Sequence, residues 1–195
     1  MKKILFATNN ANKLKEVREI IGDSYEIISL ADVGYTEDIP ETGKTFEKNA
    51  QIKALAALSD LYMPCIGEDS GLQVEAINNE PGVYSARYCK DHDVSANIAK
   101  VLEKLGNNKN RKAKFVTTIC YVSPESQAIN MFRGELSGTI TFEKRGSNGF
   151  GYDNIFIPNG YDKTLAELSS EEKNKISQRY KAINFFRNFL EKNKQ

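Results

Sequence analysis

The chain has 195 residues, with 27 Lys and Arg against 26 Asp and Glu, one histidine and three cysteines. A chain of this length buries about 70% of its unfolded surface, so we predict a single domain over residues 1–195. The charge balance argues against nucleic-acid and anionic-membrane partners, which select a large positive excess. The single histidine and dispersed cysteines exclude a zinc site, which needs about four His and Cys ligands in a recognisable spacing.

Targeting signals are weak throughout the chain. The N-terminal apolar run stops at Ala7 and is followed by Asn9, which is too early for a signal peptide. No apolar run reaches the roughly 18 residues that a membrane-spanning helix requires. Dispersed cysteines are typical of reduced thiols, so we predict a soluble cytoplasmic protein.

The first predicted elements form an α/β unit. The apolar run 3–8 predicts a buried strand, and Asn12 is the expected N-cap of a helix that Gly22 ends. Residues 25–30 predict a second strand, and the polar segment 31–44 predicts a loop.

The middle of the chain predicts a second helix and two short strands. Thr45 is the expected N-cap of a helix that extends to about residue 60. A strand is predicted at 65–71, ending in a turn at its last glycine, and another follows at 72–77. Residues 78–93 are irregular.

The later elements are predicted as a helix, a hairpin of two long strands, a glycine-rich loop and a last helix opened by a capping box of Ser169 and Glu172. The helix is predicted at 95–105, the two strands of the hairpin at 113–123 and 127–136, and the glycine-rich loop at 143–151. Because the hairpin interrupts the alternation of strands and helices, we predict an α/β fold with a mixed sheet.

The loop between the first strand and helix is a candidate anion site. Its sequence is Thr8-Asn9-Asn10-Ala11-Asn12-Lys13, and N–H groups at a helix N-terminus with a nearby lysine favour phosphate. An ordinary capped turn is the alternative. Gly43-Lys44-Thr45 is similar to the end of a P-loop, but Asp38 stands where that motif requires glycine.

Two acidic segments are candidate magnesium ligands. Glu41 lies in a loop with Glu37 and Asp38, and Glu68 and Asp69 end a predicted strand. Magnesium is bound through one or two carboxylates together with substrate phosphate oxygens. A solvated acidic loop is the alternative.

Two later segments favour nucleotide contacts, each with a simpler alternative. The loop 146–153 combines three glycines with Phe150 and Tyr152, which suits a flat ring, although a tight turn with core aromatics fits as well. The charged segment 171–179 is either a basic binding helix or a solvated face. We interpret His92, between two aspartates, as a surface or capping residue.

These motifs, in this order, resemble the inosine triphosphate pyrophosphatase family over essentially the whole chain. The blocks that carry the resemblance are Glu41-Thr42-Gly43-x-Thr45-Phe46, Asp69-Ser70-Gly71-Leu72, Pro81 to Tyr88, Gly149 to Asp153 and Glu171-Glu172-Lys173. The resemblance implies a two-lobed α/β fold around a long mixed sheet, with flanking helices and a cleft between the lobes. It also implies a magnesium-dependent homodimer that hydrolyses dITP, ITP and XTP to the monophosphate and pyrophosphate.

The resemblance also implies roles for individual residues. Asp69 would be the proton acceptor and a metal ligand, together with Glu41 and Glu68, and Arg179 would reach the 6-oxo edge of the base while Phe150 stacks on it. The implied substrate-binding residues are Thr8, Asn9, Asn10, Ala11, Asn12, Lys13, Lys53, Ser70, Phe150, Gly151, Tyr152, Asp153, Lys173, Gln178 and Arg179.

The chain departs from the family pattern at three positions. Asn9 replaces a common glycine, Gln178 replaces the usual histidine before Arg179, and Asn154 replaces a usual proline. Glutamine keeps a donor and an acceptor but cannot become charged. The change therefore concerns base contacts rather than phosphate chemistry.

Three other functions remain open from the sequence. A pyrophosphatase for pyrimidine or other modified nucleotides would use a similar fold, and a non-catalytic nucleotide sensor would use the same loops. Nucleic-acid binding is the third, and the charge balance disfavours it.

Overall fold

The computed structural model describes residues 2–193, with one mixed sheet and flanking helices. Within these residues the strands are β1 Lys3–Phe6, β2 Glu26–Ser29, β3 Cys65–Val74, β4 Glu80–Pro81, β5 Lys112–Ser123, β6 Ser126–Ile140 and β7 Phe156–Pro158. The helices are α1 Ala11–Ile21, α2 Phe46–Leu61, α3 Val94–Leu105, α4 Ser170–Ile176 and α5 Gln178–Lys192.

The sheet combines parallel and antiparallel pairs. Its strand order is β2-β1-β3-β5-β6-β7, and β4 also pairs with β3. Strand β1 runs parallel to β2 and to β3, with Leu5 opposite Ile28 and Cys65. The pairs β3–β4 and β6–β7 are antiparallel. The prediction of a mixed α/β sheet is therefore confirmed.

The chain divides into two compact units, each built from separate stretches of sequence. The first unit contains the chain up to Asp69, residues Thr117–Gly134 and the chain from Arg179 onward. One of its buried clusters joins α1 to α5 through Val17 and Phe186, and a second forms where the small residues of α2 meet β1 and β3. Those small residues are Ala50, Ala54 and Ala57.

The second unit contains Ser70–Val116 and Glu135–Gln178. Its core joins α3, through Ile98 and Val101, to strands of the sheet. The rings of Phe115 and Phe156 lie 4.7 Å apart in that core at an interplanar angle of 51°, a tilted arrangement typical of aromatic pairs in protein interiors.

Local capping signals locate most helix ends. Thr45 caps α2 by accepting a hydrogen bond from Lys48 N, and Gly22 ends α1 as expected. The prediction of Asn12 as the first cap was wrong. Asn10 is the cap, because its side chain accepts from the backbone N–H groups of Asn12 and Lys13 and thereby begins the helix two residues earlier.

One predicted break was wrong, and one break was not predicted. Strand β3 continues through Gly71 to Val74 because Leu72 and Val74 are fully buried in the core of the second unit. The single last helix is instead two helices, since Ser177 leaves helical geometry with a ψ of 155°. Strand β6 is longer than expected and β7 was missed.

No helix in residues 2–193 is both long enough and apolar enough to cross a bilayer.

Candidate active site

The loop before α1 is organised by its own side chains. Thr8 Oγ1 accepts a hydrogen bond from Asn10 N at 3.1 Å, and Asn10 Oδ1 accepts from Asn12 N at 3.0 Å and Lys13 N at 3.1 Å. Residues 9–12 are exposed. The predicted phosphate-binding loop therefore lies at an accessible helix N-terminus, where the helix dipole favours an anion.

Lys13 extends from this loop to a buried carboxylate. Its Nζ lies 3.3 Å from Oε1 of Glu68. Burial lowers the pKa of the Lys13 ammonium, while the charge of Glu68 acts in the opposite direction. Lys13 is therefore a cation that is largely removed from water and oriented by Glu68.

Arg179 binds the same carboxylate from the start of α5. Its Nε donates to Glu68 Oε2 at 2.9 Å and its Nη2 donates to Glu68 Oε1 at 3.0 Å. Its Nη1 donates to Glu16 of α1. Burial acts to lower the pKa of Arg179, but the two carboxylates outweigh that effect and raise it. The arginine predicted to contact the base thus has carboxylate partners for all three nitrogens.

Glu68 and Glu41, two predicted metal ligands, are both engaged by cations. Glu68 is held by Arg179 and Lys13, and Glu41 forms an ion pair with Lys53 of α2. Lys53 Nζ also donates to the backbone oxygen of Glu68 at 2.9 Å. These carboxylates therefore hold the predicted phosphate-binding cations in place.

Asp69 has a different environment from Glu68. It is 3% exposed, and its Oδ2 accepts a hydrogen bond from Asn49 Nδ2 at 2.9 Å. Burial raises the pKa of Asp69 to about 6, against the opposing effects of Lys53 and Lys13. A carboxyl group with a pKa near neutrality suits a general base or a hard-metal ligand.

The second unit contains the loop 146–153, called the aromatic loop below, and Lys173 of α4. Asp153 Oδ2 accepts from Phe150 N at 2.9 Å and from Lys173 Nζ at 2.7 Å. The same ammonium lies 4.6 Å from the centre of the Phe150 ring. The loop and α4 are therefore joined through one carboxylate, which brings together three of the predicted binding residues.

Tyr152 lies in the core rather than on the surface of this loop. It is 5% exposed, and its hydroxyl donates to the backbone oxygen of Ser85 at 2.7 Å. Burial raises the pKa of the Tyr152 phenol. Of the other predicted substrate-binding residues, Gly151 has a positive φ of 61° and Ser70 is partly exposed in β3.

Gln178 and His92 differ sharply in burial. Gln178 is 7% exposed, and its Oε1 accepts no hydrogen bond from any residue in the described part of the chain. The His92 side chain is 81% exposed and its Nδ1 lies 2.8 Å from Asp91. The prediction of a surface histidine is confirmed.

Sequence reasoning missed two residues at this site, Glu16 and Asn49. Glu16 of α1 belongs to none of the motifs in the sequence, and it is 9% exposed and accepts a hydrogen bond from Arg179. Asn49 is fully buried, one helical turn before Lys53. That spacing places the amide and the ammonium on one face of α2, which was the available signal.

The carboxylates do not form a preassembled metal cage. Over residues 2–193 no group of three or more His, Cys, Asp or Glu side chains is arranged to hold a metal ion. Magnesium usually takes only one or two protein carboxylates and completes its shell with water and phosphate. Asp69 and Glu41 carry the oxygen donors that such a site would use, and the charge of Glu41 acts on Asp69, so the residues present fit this ion.

Comparison with known proteins gives one consistent family. The Ham1 family profile matches residues 4–189. A dITP/XTP pyrophosphatase of Staphylococcus aureus strain MW2 is 45% identical over 195 residues, covering 100% of this chain and 99% of the relative.

Solved structures agree in fold. The Staphylococcus aureus Ham1 protein has a TM-score of 0.90 at 44% identity, covering 99% of this chain and 100% of that one. A HAM1 protein from Coxiella burnetii also has a TM-score of 0.90, at 37% identity, with 98% and 100% covered. The resemblance in the sequence motifs is confirmed, and the chain belongs to the Ham1 family.

Proposed function

We propose that this chain hydrolyses dITP, ITP and XTP to the nucleoside monophosphate and pyrophosphate with the help of Mg²⁺, and so removes non-standard purines from the nucleotide pool. The observation that carries the proposal is the environment of Asp69, which is 3% exposed, accepts a hydrogen bond from Asn49 Nδ2 at 2.9 Å and has Lys13 and Lys53 close enough for their charges to act on it. The dITP/XTP pyrophosphatase name of relatives about 45% identical supports the substrate class.

The chain's own residues supply most of the required chemistry. Backbone N–H groups of the Thr8–Lys13 loop, with Lys13 and Lys53, bind and neutralise the triphosphate. Asp69 and Glu41 would hold Mg²⁺, which when bound neutralises phosphate charge and makes water more acidic. The site thus concentrates positive charge where pyrophosphate leaves.

Asp69 is the proton acceptor in this proposal. Water oxygen forms a bond to phosphorus while the anhydride link between the α- and β-phosphates breaks. The proton of the water passes to Asp69, and pyrophosphate leaves with the bonding electron pair.

The nucleoside would be held by the aromatic loop and its neighbours. Phe150 stacks on the base in this proposal, and Lys173 lies beside that ring. A donor facing the 6-oxo group favours hypoxanthine and xanthine over adenine, whose amino group would leave it unpaired at a cost of about 1–3 kcal/mol. Arg179 stays the predicted donor, although its guanidinium is bound by Glu68 and Glu16.

The test is pyrophosphate release from dITP, ITP, XTP, GTP, ATP, dTTP and UTP, with Mg²⁺ and with EDTA. We expect fast release from the first three only with Mg²⁺, and none from Asp69→Asn. Faster cleavage of dTTP or UTP would indicate a pyrophosphatase of another specificity. Binding of ITP without turnover would indicate a nucleotide sensor.

The assembly and location are also proposed on the family resemblance. We propose a cytoplasmic homodimer. Sedimentation velocity should give twice the mass of the 21.9 kDa chain, and a single-chain mass at micromolar concentration would contradict the dimer.

A further inference from the structure

The Asn49 amide joins the two segments that carry the predicted metal ligands. Its Nδ2 donates to Asp69 Oδ2 at 2.9 Å, and its Oδ1 accepts from the backbone N–H of Gly43 at 2.7 Å. The amide orientation follows from chemistry, because a carboxylate accepts and a backbone N–H donates. Gly43 follows Glu41 by two residues, so one side chain connects the Glu41 loop to Asp69.

The backbone is shaped to let this side chain approach. A Cβ on Gly43 would lie 2.6 Å from Asn49 Oδ1 and 2.9 Å from Lys48 Cβ. A Cβ on Gly67, two residues before Asp69, would lie 2.1 Å from Ala50 O and 2.7 Å from Ala54 N. All four distances are too short for a Cβ atom, so glycine at these two positions allows α2 to contact β3 and the loop directly.

Lys53 extends the same contact by one helical turn. It is four residues after Asn49, donates to Glu68 O at 2.9 Å and pairs with Glu41. Residues four apart lie on one face of a helix. This face of α2 therefore contacts β3 and the Glu41 loop through two residues, Asn49 and Lys53. Asn49 is the one that binds Asp69.

We propose that Asn49 is a positioning residue for hydrolysis, holding the Asp69 carboxylate in a fixed plane and a fixed relation to Glu41. This inference rests on the proposed function, in which Asp69 and Glu41 act with a hard cation. Asn49 is fully buried and meets Asp69 through its only donor group. Loss of a side chain that orients a metal ligand typically costs about 10–100-fold in metal affinity or activity.

The main test compares Asn49→Ala with the wild type in turnover and in metal binding. We expect kcat for dITP to fall about 10–100-fold, whereas KM at saturating Mg²⁺ changes less than about threefold because the phosphate-binding lysines remain. Titration with Mn²⁺, followed by electron paramagnetic resonance on nucleotide-free protein, should show weaker binding by a similar factor. Wild-type kcat and Mn²⁺ affinity in folded Asn49→Ala would overturn the proposal.

A second variant separates positioning from simple loop anchoring. Asn49→Asp keeps an oxygen to accept from Gly43 N and keeps the side-chain shape, but it loses the donor and places a second carboxylate against Asp69. If Asn49 only anchors the loop, this variant turns over dITP like the wild type and the proposal fails. We expect its kcat to fall at least about tenfold.

The matched control is Asn97→Ala in the second unit. Asn97 is also buried, at 3% exposure, and its amide binds backbone groups of Cys89, Lys90 and Ala86. We expect lower stability with unchanged kcat and Mn²⁺ affinity per folded molecule, and equal losses in both Asn→Ala variants would overturn the proposal. A wild type without turnover would refute the proposed function instead.

Discussion

Arg179 binds both carboxylate oxygens of Glu68, with Nε to Oε2 at 2.9 Å and Nη2 to Oε1 at 3.0 Å, and both side chains are at most 3% exposed. The pair connects the first turn of α5 to β3, 111 residues apart in the chain. Because α4 ends at Ile176 and Ser177 is its C-cap, Arg179 lies at the start of α5 rather than in a solvated helix middle.

The first prediction concerns this pair. Arg179→Met should lower the free energy of unfolding by about 3–5 kcal/mol, because Glu68 and Glu16 would stay buried without their main cation. Urea unfolding followed by circular dichroism measures the change. The control is Arg18→Met, whose pair with Asp32 is about half exposed and should contribute less than about 1 kcal/mol. Equal losses would contradict the prediction.

The second prediction concerns the pH dependence of stability through Asp69. Its pKa is about 6 in the folded chain against an ordinary value of 3.8. Between these values the unfolded carboxyl group has lost its proton while the folded one keeps it, so the free energy of unfolding falls as pH rises. Two pH units correspond to about 3 kcal/mol.

Asp69→Asn removes this penalty. The variant should match the wild type near pH 4 and should be more stable by up to about 3 kcal/mol above pH 7, while lacking activity. Urea unfolding in EDTA at pH 4, 6 and 8 measures the difference. A difference that does not change with pH would show that Asp69 has an ordinary pKa.

Local signals in the sequence located most helix caps, but not the contacts of the site. The Thr45 cap and the Ser169–Glu172 capping box are confirmed. Both were predictable because each joins residues only three apart in the chain. Gly71 was mistaken for a turn because its strand is continued by core packing, which a local pattern does not contain. Turn propensity is a weak signal when the flanking side chains are buried.

The motifs predicted candidate site residues, but they did not predict the partners that these residues have in the structure. Asn49 and Asp69 are 20 residues apart, and Arg179 and Glu16 are 163 apart. Charge runs in a sequence do not say which charges meet. The buried pairing of Arg179 with Glu68 and Glu16 therefore appeared only in the structure. It explains how these two glutamates come to be buried.

The third prediction concerns Gly149 in the aromatic loop. Its φ is +72°, and a Cβ there would lie 2.2 Å from Asp153 Oδ2, the atom that accepts from Phe150 N and Lys173 Nζ. Gly149→Ala should displace Asp153 and so misplace Phe150. We expect KM for dITP to rise about tenfold, which corresponds to about 1.4 kcal/mol of lost binding.

Gly160→Ala is the matched control. Gly160 also has a positive φ, of +85°, but a Cβ there meets nothing within 4 Å. Its replacement should cost about 1–2 kcal/mol of stability through backbone strain alone and leave KM unchanged. Steady-state kinetics and urea unfolding on both variants separate the two effects. A similar KM in the Gly149→Ala and Gly160→Ala variants would mean that Asp153 does not position the aromatic loop.

The last prediction concerns Gln178, where the chain departs from the family's usual histidine. Its Oε1 is buried and accepts no hydrogen bond from the described residues, and an unsatisfied buried acceptor contributes nothing favourable to stability. Gln178→Leu should therefore change the free energy of unfolding by less than about 1 kcal/mol. If the amide contacts the base, the same change should reduce the preference for dITP over dGTP at least about fivefold, or about 1 kcal/mol.

Gln178→His distinguishes a polar contact from a contact of shape. Imidazole has a donor and an acceptor, so Gln178→His should keep the preference for dITP over dGTP that Gln178→Leu loses. The measurement is the ratio of kcat/KM for the two nucleotides in each variant. A ratio that stays within twofold of wild type in both would place the base contact elsewhere. Loss of the preference in both variants would mean that the glutamine amide itself is required. Glutamine at position 178 would then give this chain a base preference different from that of relatives with histidine there.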